Sequence, residues 1–189
     1  MSLYGDNISK DLYTSLINKV HSNLDIMEEY MKVRKDILKL DELHMYDVYV
    51  PLVSNISRDY SYEEAKDLVI KALEPLGDAY INDLKQLFDS NCIDVYNNNN
   101  KRNGAYSWGS YDTLPYVLLN FEGNFNDVST IAHELGHSMH SLYSHERQEY
   151  HDSGYPIFLA EIASTVNEIL LNRYCSDNAK TKEEKAYYL

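Results

Sequence analysis

Cysteine is scarce: Cys92 and Cys175 are the two in 189 residues, far apart and in no CxxC spacing. Neither a disulfide framework nor a thiolate metal site is encoded, and reducing, cytoplasmic conditions fit best. No apolar run approaches the roughly 18 residues that a spanning helix needs, and the opening Met1-Ser2-Leu3-Tyr4-Gly5-Asp6 has no basic segment followed by an apolar one. Neither a membrane anchor nor an export signal is expected. Positive charge is short as well, with 17 Lys and Arg against 30 Asp and Glu and a formal net charge of −13. Such a surface repels nucleic acid and anionic membranes wherever salt leaves charge unscreened, so neither is expected as a partner. There is no internal repeat. What is present, 44% hydrophobic and 25% charged residues, is enough to bury a real core.

Helical periodicity dominates. Between Lys10 and Lys39 the apolar residues Leu12, Leu16, Val20, Leu24, Met27, Met31 and Ile37 recur at helical intervals, predicting one long amphipathic helix or two end to end. Ser61-Tyr62-Glu63-Glu64 has the form of a capping box, and Pro75 with Gly77 should break that helix before a second one carrying Ile81, Leu84 and Phe88. The Asn97–Asn100 run reads as a loop, and Tyr116-Val117-Leu118-Leu119 is the best strand candidate. A helix is expected from about Val128 to Tyr143, a polar loop from Ser144 to Tyr155, and another helix from Pro156 to about Tyr174. The ending Ala186-Tyr187-Tyr188-Leu189 looks like a helix still in progress, which suggests a truncated chain. The expected fold class is mainly α with a small β-sheet.

His133-Glu134-Leu135-Gly136-His137 lies inside one of these helices. Positions i and i+4 project from one face about 6 Å apart, so His133 and His137 can aim imidazole nitrogens at one zinc ion. Glu134 then points near the open side of that ion, where a carboxylate can take a proton from an activated water and pass it to a leaving amine. A chain of this length contains HExxH by chance on the order of once in 200. Apolar Ile131, Ala132, Leu135 and Met139 frame the motif, and Gly136 leaves room for a close approach, so chance is the weaker reading.

A third ligand should come from His140, His145, Glu146, Glu149, His151, Asp152, Glu161 or Glu168. His140 is about 10.5 Å along a helix from His133, too far to share its ion, and is expected to be packed or supporting. The metzincin pattern needs Gly at 140 and His at 143, where this chain has His140 and Tyr143. Glu161 is better placed, a carboxylate among Phe158, Leu159, Ala160, Ile162 and Ala163 on a helix that should pack against the HExxH helix. The loop from Ser144 to Asp152 stays open as an alternative source. Glu168, two turns on, reads either as an acceptor for a ligand histidine or as a surface residue.

Together, His133–His140 and Phe158-Leu159-Ala160-Glu161-Ile162-Ala163-Ser164-Thr165-Val166-Asn167-Glu168 resemble the oligoendopeptidase F branch of the thimet oligopeptidase-like (M3) metallopeptidases. Leu40–Asp47 and Gly104-Ala105-Tyr106-Ser107 extend the resemblance upstream. It implies a zincin-like core with one Zn2+ per chain, held by His133, His137 and Glu161, with Glu134 as general base in the hydrolysis of short oligopeptides. It also implies that Gly104, Ala105 and Tyr106 lie on an edge strand that aligns the peptide by backbone pairing, against the plainer expectation of an ordinary hairpin with a packed Tyr106. On this reading 1–189 is a partial catalytic domain: helices over 1–90, loop and short strands over 91–121, and zinc-site helices over 125–189. Family members are several times longer, and their N-terminal helical region and C-terminal helices have no counterpart here. The latter supply a tyrosine and a histidine for the tetrahedral intermediate, so this segment alone is expected to be impaired or inactive. The rival is a fragment that binds zinc or peptide without turnover.

Overall fold

The computed structural model describes residues 6–53 and 58–188. Readings that rest on Met1–Gly5 and on Leu189 lie outside the described residues. The chain divides into two compact units, Met1–Asn55 and Ile56–Leu189.

In the first unit the long periodic segment resolves into two helices, α1 (Lys10–His21) and α2 (Leu24–Leu38), followed by a short 3-10 turn at Met45–Tyr49. Ser9 caps α1 through a bond to the Leu12 amide, and Lys39, in left-handed conformation, ends α2. No residue of α1 is buried. The buried charged residues described in this unit are Arg34 and Asp47, and the Arg34 guanidinium donates to the carbonyls of Asp47 at 3.0 Å and Val50 at 2.6 Å.

The second unit holds α3 (Tyr62–Ala72), α4 (Asp78–Asp89), β1 (Ile93–Asp94), β2 (Tyr106–Trp108), β3 (Tyr116–Leu118), α5 (Phe125–Arg147), α6 (Ile157–Asp177) and α7 (Lys182–Tyr187). Ser61 and Glu64 form the expected capping box at the start of α3, and Glu74–Leu76 with Gly77 separates α3 from α4. The three strands make a small sheet in the order β1-β3-β2, with β1 parallel and β2 antiparallel to β3. β2 is therefore an edge strand. The fold is mainly helical with a small sheet, as the sequence indicated.

A single hydrophobic cluster underlies the sheet and helices, with Val69, Leu73, Leu84, Leu87, Val128, Ile131, Leu135, Met139 and Leu171 almost wholly buried. Burying each such side chain contributes roughly 1.5–3 kcal/mol. α5 supplies Val128, Ile131, Ala132, Leu135 and Met139 from one stripe, so the face bearing the histidines is fixed by the face that packs.

Two boundaries differ from expectation. α5 starts earlier because Asn124 and Asp127 form a reciprocal cap, and it runs on to Arg147. The connection to α6 is accordingly 148–156, and Pro156 is the N-cap of α6 rather than part of its first turn.

A larger difference concerns the faces of α6. Its buried residues are Ser164, Asn167, Leu171, Cys175 and Ser176, while Ile157, Phe158, Ile162, Val166 and Ile169 are exposed. Around Ser164 and Asn167 the inward groups are small or polar, because α6 comes closest to α5 there, at Gly136.

Candidate metal site and cleft

The crossing of α5 and α6 explains the site. A Cβ built on Gly136 would stand 2.6 Å from the Ser164 Cα and 2.8 Å from the Ala163 carbonyl oxygen. Only a residue without a side chain lets the two backbones meet there. Asn167, 1% exposed, donates to the Ala132 carbonyl at 3.0 Å and also meets the Tyr80 hydroxyl of α4. These contacts set the register of α6 along α5, and Glu161 and Glu168 arrive on either side of the histidines.

His133 Nε2 and His137 Nε2 are 3.1 Å apart, and Glu161 Oε2 lies 3.3 Å from each. On the far side of the ring, His133 Nδ1 meets Glu168 Oε1 at 2.5 Å. A carboxylate accepts, so Nδ1 carries the proton and Nε2 keeps its lone pair. The ring of His137 is likewise engaged by the Ala160 backbone, and its burial pulls its pKa down. Nε2 of His133, Nε2 of His137 and Oε2 of Glu161 thus converge on one point. Four ligands arranged tetrahedrally at zinc's usual ~2.0–2.1 Å would stand about 3.3–3.4 Å from one another, so three of the four corners match. Among the described residues these three form the one group of His, Cys, Asp and Glu side chains close enough to hold an ion.

Glu134 is buried beside this triangle. Burial pushes its pKa up and Glu161 and Glu168 add to that shift, while His133 and the backbone amide of Ser107, directed at the carboxylate, oppose it. A carboxylate whose pKa is raised takes up a proton more readily than one in water. Ser107 also ties the edge strand to the HExxH helix, its hydroxyl 2.8 Å from that of Ser138. The site faces a cleft of about 650 Å³ lined on one side by Tyr106 and Trp108 and on the other by His145 and Tyr155.

Several sequence readings are sharpened here. Glu161, expected as a carboxylate sunk among apolar residues, is 55% exposed, because its apolar neighbours Phe158 and Ile162 face outward with it. His140 stacks on Tyr155 with ring centroids 3.8 Å apart and stands outside the triangle. Glu168 proves to be the acceptor for His133 rather than a free surface group. Of Gly104, Ala105 and Tyr106, only Tyr106 is in the edge strand; Gly104, at a φ of +92°, and Ala105 precede it. Ala105 and Tyr106 do line the cleft. Missed altogether were Ser107, Ser138 and Tyr155, for which spacing carries no signal. Tyr155 is held by the Ser141 hydroxyl at 2.7 Å as well as by the His140 ring.

Two histidines one turn apart and a glutamate from the next helix form a cluster that could hold a metal ion, with a second carboxylate at the side, on a mainly helical fold. The model of peptidase family M3 matches residues 1–188, and the chain belongs to that family. It is 43% identical over 188 residues to oligopeptidase PepF of Bacillus subtilis, covering 100% of this chain and 28% of that protein. It is 42% identical over 191 residues to an oligoendopeptidase F homolog of Borreliella burgdorferi, covering 100% of this chain and 32% of the relative. A crystal structure of a Chlamydophila abortus protein superposes with a TM-score of 0.91 at 49% identity, over 98% of this chain and 31% of that one. The chain thus spans about three-tenths of the length of the relatives it matches.

Proposed function

We propose that this chain is the metal- and base-bearing part of the catalytic domain of a zinc endopeptidase acting on short peptides. The observation that carries the reading is the donor triangle of His133, His137 and Glu161, with edges of 3.1–3.3 Å and Glu134 beside it. Zinc bound there would polarise a peptide carbonyl and acidify a water molecule. Glu134 accepts the proton that the water loses as its oxygen bonds to the carbonyl carbon, and returns it to the amine as the C–N bond breaks. Glu168 keeps His133 in the tautomer that presents Nε2. A peptide in extended form lies along the open edge of β2, with Ala105 and Tyr106 at its border and Gly104 shaping the turn into it. The names of the relatives, oligopeptidase and oligoendopeptidase, favour short substrates. The free thiols Cys92 and Cys175 suit a cytoplasmic location.

A second reading is favoured by one fact, that the chain spans 28% and 32% of those relatives. In it, this segment holds zinc and peptide, and turnover needs residues that the relatives carry elsewhere.

The test measures zinc per chain and hydrolysis of an internally quenched oligopeptide by the wild type and by Glu134→Gln. About one zinc in both, with turnover reduced roughly 10²–10⁴-fold in the variant, is expected for a lost general base. Equal turnover with zinc retained removes Glu134 from its role. Zinc without turnover in either protein selects the second reading.

A further inference from the structure

Glu161 poses a physical problem for a metal ligand. Its side chain is 55% exposed and has three rotatable bonds, so nothing apolar confines the carboxylate to the side of α6 that faces His133 and His137. The histidines are anchored by their own rings' second bonds; Glu161 needs an equivalent. One turn along α6, Ser164 is fully buried, and its Oγ lies 2.8 Å from Glu161 Oε2 and 3.1 Å from the Glu161 carbonyl oxygen.

A serine hydroxyl has one proton, and in a helix its default use is a bond back to a carbonyl three or four residues earlier. Thr165, the next residue, makes only such bonds, to the carbonyls of Glu161 and Ile162. Ser164 has the shorter contact to the charged oxygen, where a hydrogen bond is about twice as strong as one to a neutral acceptor. That oxygen, Oε2, is the same atom that stands 3.3 Å from both histidine nitrogens. It has lone pairs for an ion and for a hydroxyl at once. Ser164 cannot turn away to solvent, because its Cα is pressed against Gly136 at the helix crossing.

Resting on the metal-site reading above, we infer that Ser164 is a positioning residue: its hydroxyl donates to Glu161 Oε2 and holds that carboxylate in the orientation that completes the donor triangle. The crossing at Gly136 thereby does two things, bringing α6 close to α5 and setting the hydroxyl under the ligand.

The experiment is a double-mutant cycle on the full chain, reading zinc affinity by competition with a chromophoric chelator for wild type, Ser164→Ala, Glu161→Ala and the pair. Thr165→Ala serves as the control hydroxyl, and the melting of each metal-free protein is recorded alongside. Ser164→Ala is expected to weaken zinc binding roughly 10–100-fold, the usual cost of losing such a support. Thr165→Ala should leave it unchanged, and Ser164→Ala should add no further loss once Glu161 is alanine. Cobalt(II) bound to Ser164→Ala should show shifted visible bands, which a merely packing role would not produce. Wild-type affinity in Ser164→Ala, or losses that add fully in the double variant, would overturn the inference while the metal site stands. A wild-type chain that takes up no zinc would overturn the metal-site reading itself.

Discussion

At the scale of single residues, Gly136 decides the most. Glycine inside a helix ordinarily costs about 1 kcal/mol relative to alanine, so Gly136→Ala on an exposed face would stabilise the protein. Here the added Cβ would meet backbone atoms of Ala163 and Ser164 at 2.6–2.8 Å, and backbone cannot swing aside as a flexible side chain can. The overpacking, roughly 1–3 kcal/mol and occasionally more, should exceed the propensity gain. Gly136→Ala is therefore expected to lower the melting temperature and, by moving Glu161 outward, to weaken zinc binding. A variant as stable as wild type would show that the helices are not held together at this point. The sequence made His133, Glu134 and His137 legible because i and i+4 ligands are a local pattern. Glu161 was one candidate among several until resemblance chose it. Ser107, Ser138 and Ser164 were invisible, since a serine's partner is set by which helix or strand lies opposite and nothing in its neighbours encodes that.

Between elements, the register of α5 against α6 rests on a polar tie. Asn167 bridges the Ala132 carbonyl and the Tyr80 hydroxyl, joining α6 to both α5 and α4. Asn167→Ala leaves two inward-facing polar groups without this partner and should cost roughly 1–3 kcal/mol. The expected result is a lower denaturation midpoint with an unchanged slope against urea; a steady midpoint would mean that the tie is replaced or unnecessary. This part of the architecture resisted sequence reasoning for a specific reason. Periodicity analysis assigns apolar residues to the inside, and α6 reverses that, turning Ile162 and Val166 outward while Ser164 and Asn167 are enclosed. The long helix α5, the capping box at Ser61 and the break at Gly77 were readable because they obey local rules.

For the whole molecule, the division at Asn55 and Ile56 has a clear corollary. Every member of the buried hydrophobic cluster, from Tyr60 to Tyr188, and every residue of the donor triangle belongs to the second unit. A chain beginning at Ile56 should then bind zinc within a factor of about two of the full chain, the range found for sites that do not share partners. A tenfold loss would show that the first unit supports the site. No compositional break marks this boundary in the sequence, which is why the helices up to residue 90 read as one region.

The three donor atoms all come from two consecutive helices, α5 and α6, joined by a short connection. Such a site takes no donor atom from a strand or helix far away in the chain, and contacts between neighbouring segments form early because little loop entropy opposes them. The hairpin of α5 and α6 can therefore bring these donors together by closing one short connection, and every residue named above as lining the cleft has already been synthesised when Glu161 emerges.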